Sequence, residues 1–198
     1  MELGYAFLDT GAMYRAATWW ALEQGIDLDD PEALVASTRA MQLGITDRDG
    51  VQRIAVNGRD ITEAIRAPEV TRQVFRLDQN APVRAHLVSL QRAFGARGPT
   101  VAEGRDMGTV VFPKARCKVY LDASLEERTR RRAAQLEAKG LAVDMKGLRA
   151  EIRERDEKSM TRKESPLRRA NDAVVIDTTS MTFEEVVEAI VTLAQGGH

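Results

Sequence analysis

The chain has 198 residues, of which 43% are hydrophobic and 30% charged, with a net charge of −1. That suits one medium globular domain, or one domain with an insert, and gives no global pull on nucleic acid. No apolar run approaches the roughly 20 residues needed to span a bilayer. Met1-Glu2-Leu3-Gly4-Tyr5 has neither a basic region nor a signal-peptide core, and the single Cys117, expected in a core strand, can make no internal disulfide, so a cytoplasmic protein is expected.

In chain order, the short apolar run Phe7-Leu8 gives way to Asp9-Thr10-Gly11, and the spacing predicts a helix from about Ala12 to Gln24, ended by Gly25. Thr10 and Gly11 fall where helix N–H groups are free, and Arg15 follows one turn later on the same side, a geometry that suits an anion such as a nucleotide phosphate. Asp29 or Asp30 caps a second helix that starts at Pro31 and runs to about Met41. The period then changes: residues 45–62 read as short strands, with hairpin turns at Asp49-Gly50 and Asn57-Gly58. Short helices follow at Thr62 to Ile65 and Pro68 to Leu77. A longer helix begins at Pro82, with Val83, Leu87, Leu90 and Phe94 on one face.

Thr100-Val101-Ala102 reads as a buried strand that ends in Glu103-Gly104-Arg105-Asp106. In open α/β sheets the crevice beyond the carboxyl ends of the strands holds ligands, and here it would receive a flexible backbone point, a bidentate anion donor and a hydrogen-bond acceptor. Cys117 to Leu121 is the next strand. Ser124 and Glu127 form a capping box for an Arg-rich helix from Leu125 to about Lys139, and Gly140 breaks it. A helix from about Met145 to Asp156 leads into a polar turn, Ser159 to Arg169. Ala173 to Ile176 is the last strand, and Thr182 with Glu185 caps a last helix whose Phe183, Val186, Val187, Ile190, Val191 and Leu193 are expected to pack on the sheet. Alternation of strand and helix implies a parallel sheet with right-handed crossovers.

Charge is uneven along this order. From Arg128 to Arg169 there are 14 Lys+Arg against 7 Asp+Glu, and 23 of the 29 basic residues in the chain are Arg, which favours planar, bidentate recognition of phosphate. Such a segment is either a solvated helical face or an arm that closes over polyphosphate. It holds no aromatic residue for base stacking, so a nucleic-acid partner is not expected.

Leu8-Asp9-Thr10-Gly11-Ala12-Met13-Tyr14-Arg15 and Glu103-Gly104-Arg105-Asp106-Met107-Gly108-Thr109-Val110-Val111-Phe112-Pro113 together resemble the signature of bacterial cytidylate kinases. So do Tyr120 to Arg128, Arg155-Asp156, Ser165-Pro166-Leu167 and Val175 to Thr179; the resemblance runs from Glu2 to about Ala194. It implies an α/β, P-loop-NTPase-like parallel sheet flanked by helices. Residues 1–198 would form one nucleoside monophosphate kinase domain, with a small β-containing, CMP-binding insert over about 26–97 and an Arg-rich lid over about 125–165. The implied reaction is ATP + (d)CMP to ADP + (d)CDP in pyrimidine nucleotide metabolism, with Mg²⁺ accompanying ATP, in a chain that is generally monomeric and has no membrane partner.

By the same resemblance, Thr10 and Arg15 hold the CMP phosphate, and Arg84 and Asp106 read the cytosine ring. Arg105, Arg155 and Arg162 occupy the other basic positions around the monophosphate and ribose, and lid arginines come from Arg128, Arg130, Arg131 and Arg132. Two positions depart from the family: Phe75-Arg76 where a small hydroxyl residue near the base is usual, and Ser159 where an acid helps hold the ribose. The G-x-x-x-x-G-K-[ST] loop that cradles a donor triphosphate is also not found, since no Gly is followed directly by Lys. The first central strand, that loop and most of the helix after it are therefore expected to be missing. The alternative reading is a truncated, non-catalytic CMP-binding chain.

Overall fold

A computed structural model of the chain describes residues 3–48 and 51–196. In order, the elements are β1 (Ala6–Asp9), α1 (Thr10–Glu23), α2 (Pro31–Ala40), β2 (Leu43–Arg48), β3 (Val51–Val56) and β4 (Arg59–Asp60). A 3-10 turn (Ala64–Arg66), α3 (Pro68–Asp78), α4 (Ala81–Gly95), β5 (Thr100–Glu103) and a π-helical turn (Met107–Val111) follow. The chain ends with β6 (Val119–Asp122), α5 (Leu125–Glu137), α6 (Met145–Thr161), β7 (Val174–Asp177) and α7 (Phe183–Gly196). They gather into two units, residues 1–107 and 108–198.

In the first unit β1 and β5 pair in parallel, Ala6 opposite Thr100 and Asp9 opposite Glu103. The strands β2, β3 and β4 form a separate antiparallel sheet. Asn57 and Gly58 both take positive φ, 50° and 81°, the two-residue turn that matches the twist of a hairpin, and they join β3 to β4 as their sequence predicts. The Asp49-Gly50 turn lies outside the described residues. Side-chain caps fix the helix starts: Asp30 accepts from the Glu32 and Ala33 N–H groups, and Asn80 from Val83 N–H at 3.1 Å. The core gathers around α1, where Ala16, Ala17 and Ala21 are almost fully buried with Tyr14 and Trp19, and where Leu34, Ile54, Val56, Ile65, Leu77, Val83 and Leu87 join them. Small residues on α1 let the neighbouring elements approach closely, which buries this helix on more sides than one apolar stripe predicts.

In the second unit β6 and β7 pair in parallel, Val119 opposite Val174. Several expectations are corrected here. Cys117 precedes the strand and is exposed rather than buried in a core. Helix α6 continues to Thr161, so the expected polar turn begins inside it, and Ser159 folds its hydroxyl back to donate to Arg155 O at 2.7 Å. Helix α7 has a complete capping box, but none of its residues is buried and Phe183 is 77% exposed, so its apolar stripe is only half covered. In the first unit β5 is likewise not buried; Val101 is 37% exposed, because among the described residues its only strand neighbour is β1. No helix among the described residues is long and apolar enough to cross a membrane.

Candidate active site

Strand β1 ends at Asp9, and the carboxylate of Asp9 organises the first turns of α1. Its Oδ1 accepts from Ala12 N–H at 2.8 Å and caps the helix, while its Oδ2 accepts from the Arg15 guanidinium at 2.7 Å. The helix N-terminus that spacing predicts to be open is thus capped by the residue just before it. Arg15 is ion-paired and only 23% exposed. Gly11 makes the room: a Cβ there would stand 3.0 Å from an Arg15 nitrogen and 3.1 Å from Asp9 Oδ1. Asp9 and Arg15 line a cavity of about 210 Å³ together with Phe7, Gln52, Thr62 and Arg66. Sequence reasoning missed Asp9 as cap, and it missed Gln52 and Arg66; the last two reach the site from a hairpin and a turn that no local periodicity relates to β1.

Thr10 is buried, and its hydroxyl donates to Glu103 O at 2.7 Å across the parallel pair. A Cβ on Gly104 would lie only 2.3 Å from that hydroxyl oxygen and 2.7 Å from the Met107 methyl, so the backbone approach requires glycine. The carboxyl of Glu103 is held above the ordinary carboxyl range by desolvation and then by the charge of Asp9, against the opposite pull of Arg15.

Arg84, delivered by the first turn of α4, and Asp106, just past β5, are both buried and are joined at 2.5 Å. Arg84 also donates to Asp78 O at 3.3 Å and lies over the Tyr14 ring at 5.4 Å, while its buried Nε has no hydrogen-bond partner. The structure therefore brings together the two residues that the resemblance assigns to the base. Arg105 is half-buried beside Asp106. Phe75, at the position of an expected hydroxyl, is half-buried under the Arg76 guanidinium, which pairs with Asp29.

The remaining expected residues lie in the second unit, each in a different setting. Arg128 donates to Ala123 O at 3.0 Å and pairs with Asp156, tying α5 to α6. Arg130 and Arg131 share Glu127, whose carboxyl their hydrogen bonds hold down at about 2. Arg131 also donates to the Thr178 hydroxyl at 3.0 Å and to Thr178 O at 2.5 Å, which fixes α5 to the chain just after β7. Arg132 is exposed, with Gln135 at 3.2 Å. Arg155 is exposed and Arg162 half-buried, the latter donating to Ser165 O at 2.7 Å. Among the described residues no group of three or more His, Cys, Asp or Glu side chains could hold a metal ion. A larger open cavity of about 860 Å³ is lined by Leu28, Pro31, Leu34, Arg39, Arg76 and Pro82, and of these only Arg76 stands at a position that the resemblance puts near the base.

The chain is similar to known proteins along nearly its whole length. A family model described as cytidylate kinase matches residues 1–196. A cytidylate kinase of Enterococcus faecalis is 46% identical over 189 residues, covering 96% of this chain and 84% of that protein. One of Exiguobacterium sibiricum is 44% identical over 195 residues, covering 98% and 87%. A bifunctional pantoate ligase/cytidylate kinase of Synechococcus is 48% identical over 191 residues, which are 96% of this chain and 39% of that larger protein. Taken with parallel strand pairs flanked by helices, as in P-loop nucleoside monophosphate kinases, these matches place the chain in the cytidylate kinase family.

Proposed function

We propose that the chain is a transferase that moves the terminal phosphoryl group of ATP to CMP or dCMP, giving ADP and the cytidine diphosphate. The observation that carries this reading is the buried Arg84–Asp106 pair, with its unsatisfied Arg84 Nε–H. A guanidinium can donate to the O2 and N3 acceptors of cytosine, and a carboxylate can accept from its exocyclic amine. Uracil reverses the last two features and would leave buried groups unpaired, which disfavours it. Thr10 and Arg15 take the acceptor phosphate in this reading, with Arg105 and Arg162 around the monophosphate and ribose. The alternative of a non-catalytic CMP-binding chain is not favoured, given relatives that bear the kinase name over most of this chain.

Phosphoryl transfer asks the protein for alignment and charge neutralisation more than for covalent chemistry. Arg128, Arg131, Arg132 and Arg155 are the proposed partners of the transferring group, in a lid over about 125–165, with the insert over about 26–97 receiving the acceptor in a single domain of 1–198. Mg²⁺ enters on ATP and supplies charge neutralisation there. A cytoplasmic monomer in pyrimidine nucleotide metabolism, acting on small molecules and not on nucleic acid or membrane, completes the proposal.

The test pairs calorimetric titration of CMP, dCMP and UMP with a coupled ADP-release assay. CMP should bind saturably and UMP much more weakly. Arg15→Ala should weaken CMP binding by about 10- to 100-fold, the scale of a charge-assisted contact. CMP-dependent ADP release that disappears in Arg15→Ala supports the kinase. Binding without release supports the non-catalytic reading, and no CMP binding rejects both.

A further inference from the structure

The edge of β1 that faces away from β5 is satisfied by side chains rather than by a strand. In an extended strand the N–H and C=O of one residue turn to the same edge and those of the next residue to the opposite edge, and Ala6 N–H donates to Pro99 O at 3.0 Å on the β5 side. Phe7 and Asp9 turn the other way. Phe7 N–H donates to Asp47 Oδ2 at 2.8 Å, Phe7 O accepts from Gln52 Nε2 at 2.9 Å, and Asp9 N–H donates to Gln52 Oε1 at 3.2 Å. Asp47 and Gln52 are directly opposite each other in the β2–β3 hairpin. The primary amide of Gln52 thus donates to the carbonyl of one residue and accepts from the N–H of the residue two further on, as the N–H and C=O of a single residue in a parallel neighbour would.

We infer that Gln52 is a positioning residue for Arg15, acting through Asp9. The chain of contacts is continuous: Gln52 fixes the Asp9 backbone, the Asp9 carboxylate caps α1 with one oxygen, and with the other it orients the Arg15 guanidinium. Gln52 also lines the same cavity as Arg15, so the hairpin that carries it forms a wall of that cavity. Asp47 serves as an internal contrast. It binds the same strand edge from the same hairpin but reaches Phe7, not Asp9. The functional part of this inference rests on Arg15 receiving the CMP phosphate.

Gln52→Ala and Asp47→Ala are compared with the unaltered full chain by amide hydrogen exchange, by the Arg15 Nε–H resonance in NMR, and by calorimetric titration with CMP. Gln52→Ala should speed exchange of the Asp9 amide about tenfold or more, broaden or shift the Arg15 Nε–H resonance, and weaken CMP binding by about tenfold, the factor expected when one or two part-buried hydrogen bonds are lost. Asp47→Ala should speed exchange at Phe7, leave the Arg15 resonance in place and change CMP affinity by less than about threefold. Gln52→Asn keeps the amide but is one methylene short, and it substitutes for Gln52→Ala if the alanine variant does not fold. Unchanged CMP affinity in the Gln52 variants, or an equal loss in Asp47→Ala, overturns the inference. If the unaltered chain does not bind CMP, the kinase reading fails, and the Asp9 exchange rate and Arg15 resonance still decide whether Gln52 positions Arg15.

Discussion

The Asp9 carboxylate and the Arg84–Asp106 pair set the electrostatics of the first unit in opposite ways. Asp9 and Arg15 keep about a fifth of their side-chain surface in solvent, at 22% and 23%, whereas Arg84 and Asp106 keep 5% and 7%. Removing one member of the buried pair strands the other charge in a poor solvent. Arg84→Ala is therefore expected to cost about 3–5 kcal/mol in urea unfolding, and Arg84→Met combined with Asp106→Leu should recover much of that loss. The same variants should lose CMP binding whether or not stability returns, which separates recognition from folding. Local spacing pointed to Arg15 at the start of α1 and to Asp106 beyond β5, whereas Arg84 entered only through the family resemblance. Nothing in local spacing says that Arg84, 22 positions before Asp106, will meet it, because that contact depends on how α4 packs beside β5.

At the scale of the element, two capping signatures of the same form behave differently. Thr182 and Glu185 close the full box: Glu185 N–H donates to the Thr182 hydroxyl at 3.2 Å, and Thr182 N–H to the Glu185 carboxylate at 2.7 Å. Ser124 and Glu127 close half of it. Glu127 N–H donates to Ser124 Oγ at 3.2 Å, but Ser124 N–H donates instead to Thr179 Oγ1 at 2.9 Å, and the Glu127 carboxylate turns forward to Arg130 and Arg131. The reason is in the sequence, since arginines three and four positions on compete for that carboxylate, yet the Thr179 partner is 55 residues away and invisible to it. The consequence is a pH dependence. The folded chain holds Glu127 at about 2 against an ordinary value of 4.5. Its contribution is fully present above about 4.5 and is lost as the pH falls towards 2. An acid titration followed by circular dichroism should show Glu127→Gln less sensitive over that window than the unaltered chain. Molar salt should shrink the difference, because the Arg130 side chain is 68% exposed.

Across the whole molecule the two units differ in how much apolar surface they bury. The first holds both core clusters, including fully buried Leu8, Met13, Leu77, Val83 and Leu87. In the second, the buried apolar residues among those described are Val111, Ala123, Ala133 and Leu148, while Leu121, Val174, Val175 and Phe183 are exposed. Hydrophobic burial scales with area removed from water, so the second unit should open more readily. Native-state hydrogen exchange should show stronger protection in α1, α3 and α4 than in α5, α6 and α7, and limited proteolysis should cut first within residues 108–198. Equal protection in the two units would contradict this difference in burial. The alternation of strands and helices, and so the fold class, was legible in the sequence because caps, prolines and Asn57-Gly58 are local signals. Burial was not: Val101 and Cys117 carry apolar patterns, but what covers a strand is decided by its neighbours.

The contact between Thr10 and Gly104 has a consequence for descent. A hydroxyl that already spans the strand pair at 2.7 Å leaves 2.3 Å for anything attached to the facing Cα. These two positions, 93 residues apart in the chain, cannot drift independently. A lineage that acquires a side chain at 104 must first have given up the hydroxyl at 10, and a lineage that keeps threonine at 10 keeps glycine at 104. Along such a history the two sites should change as one character, with the hydroxyl at 10 lost before the larger residue arrives at 104.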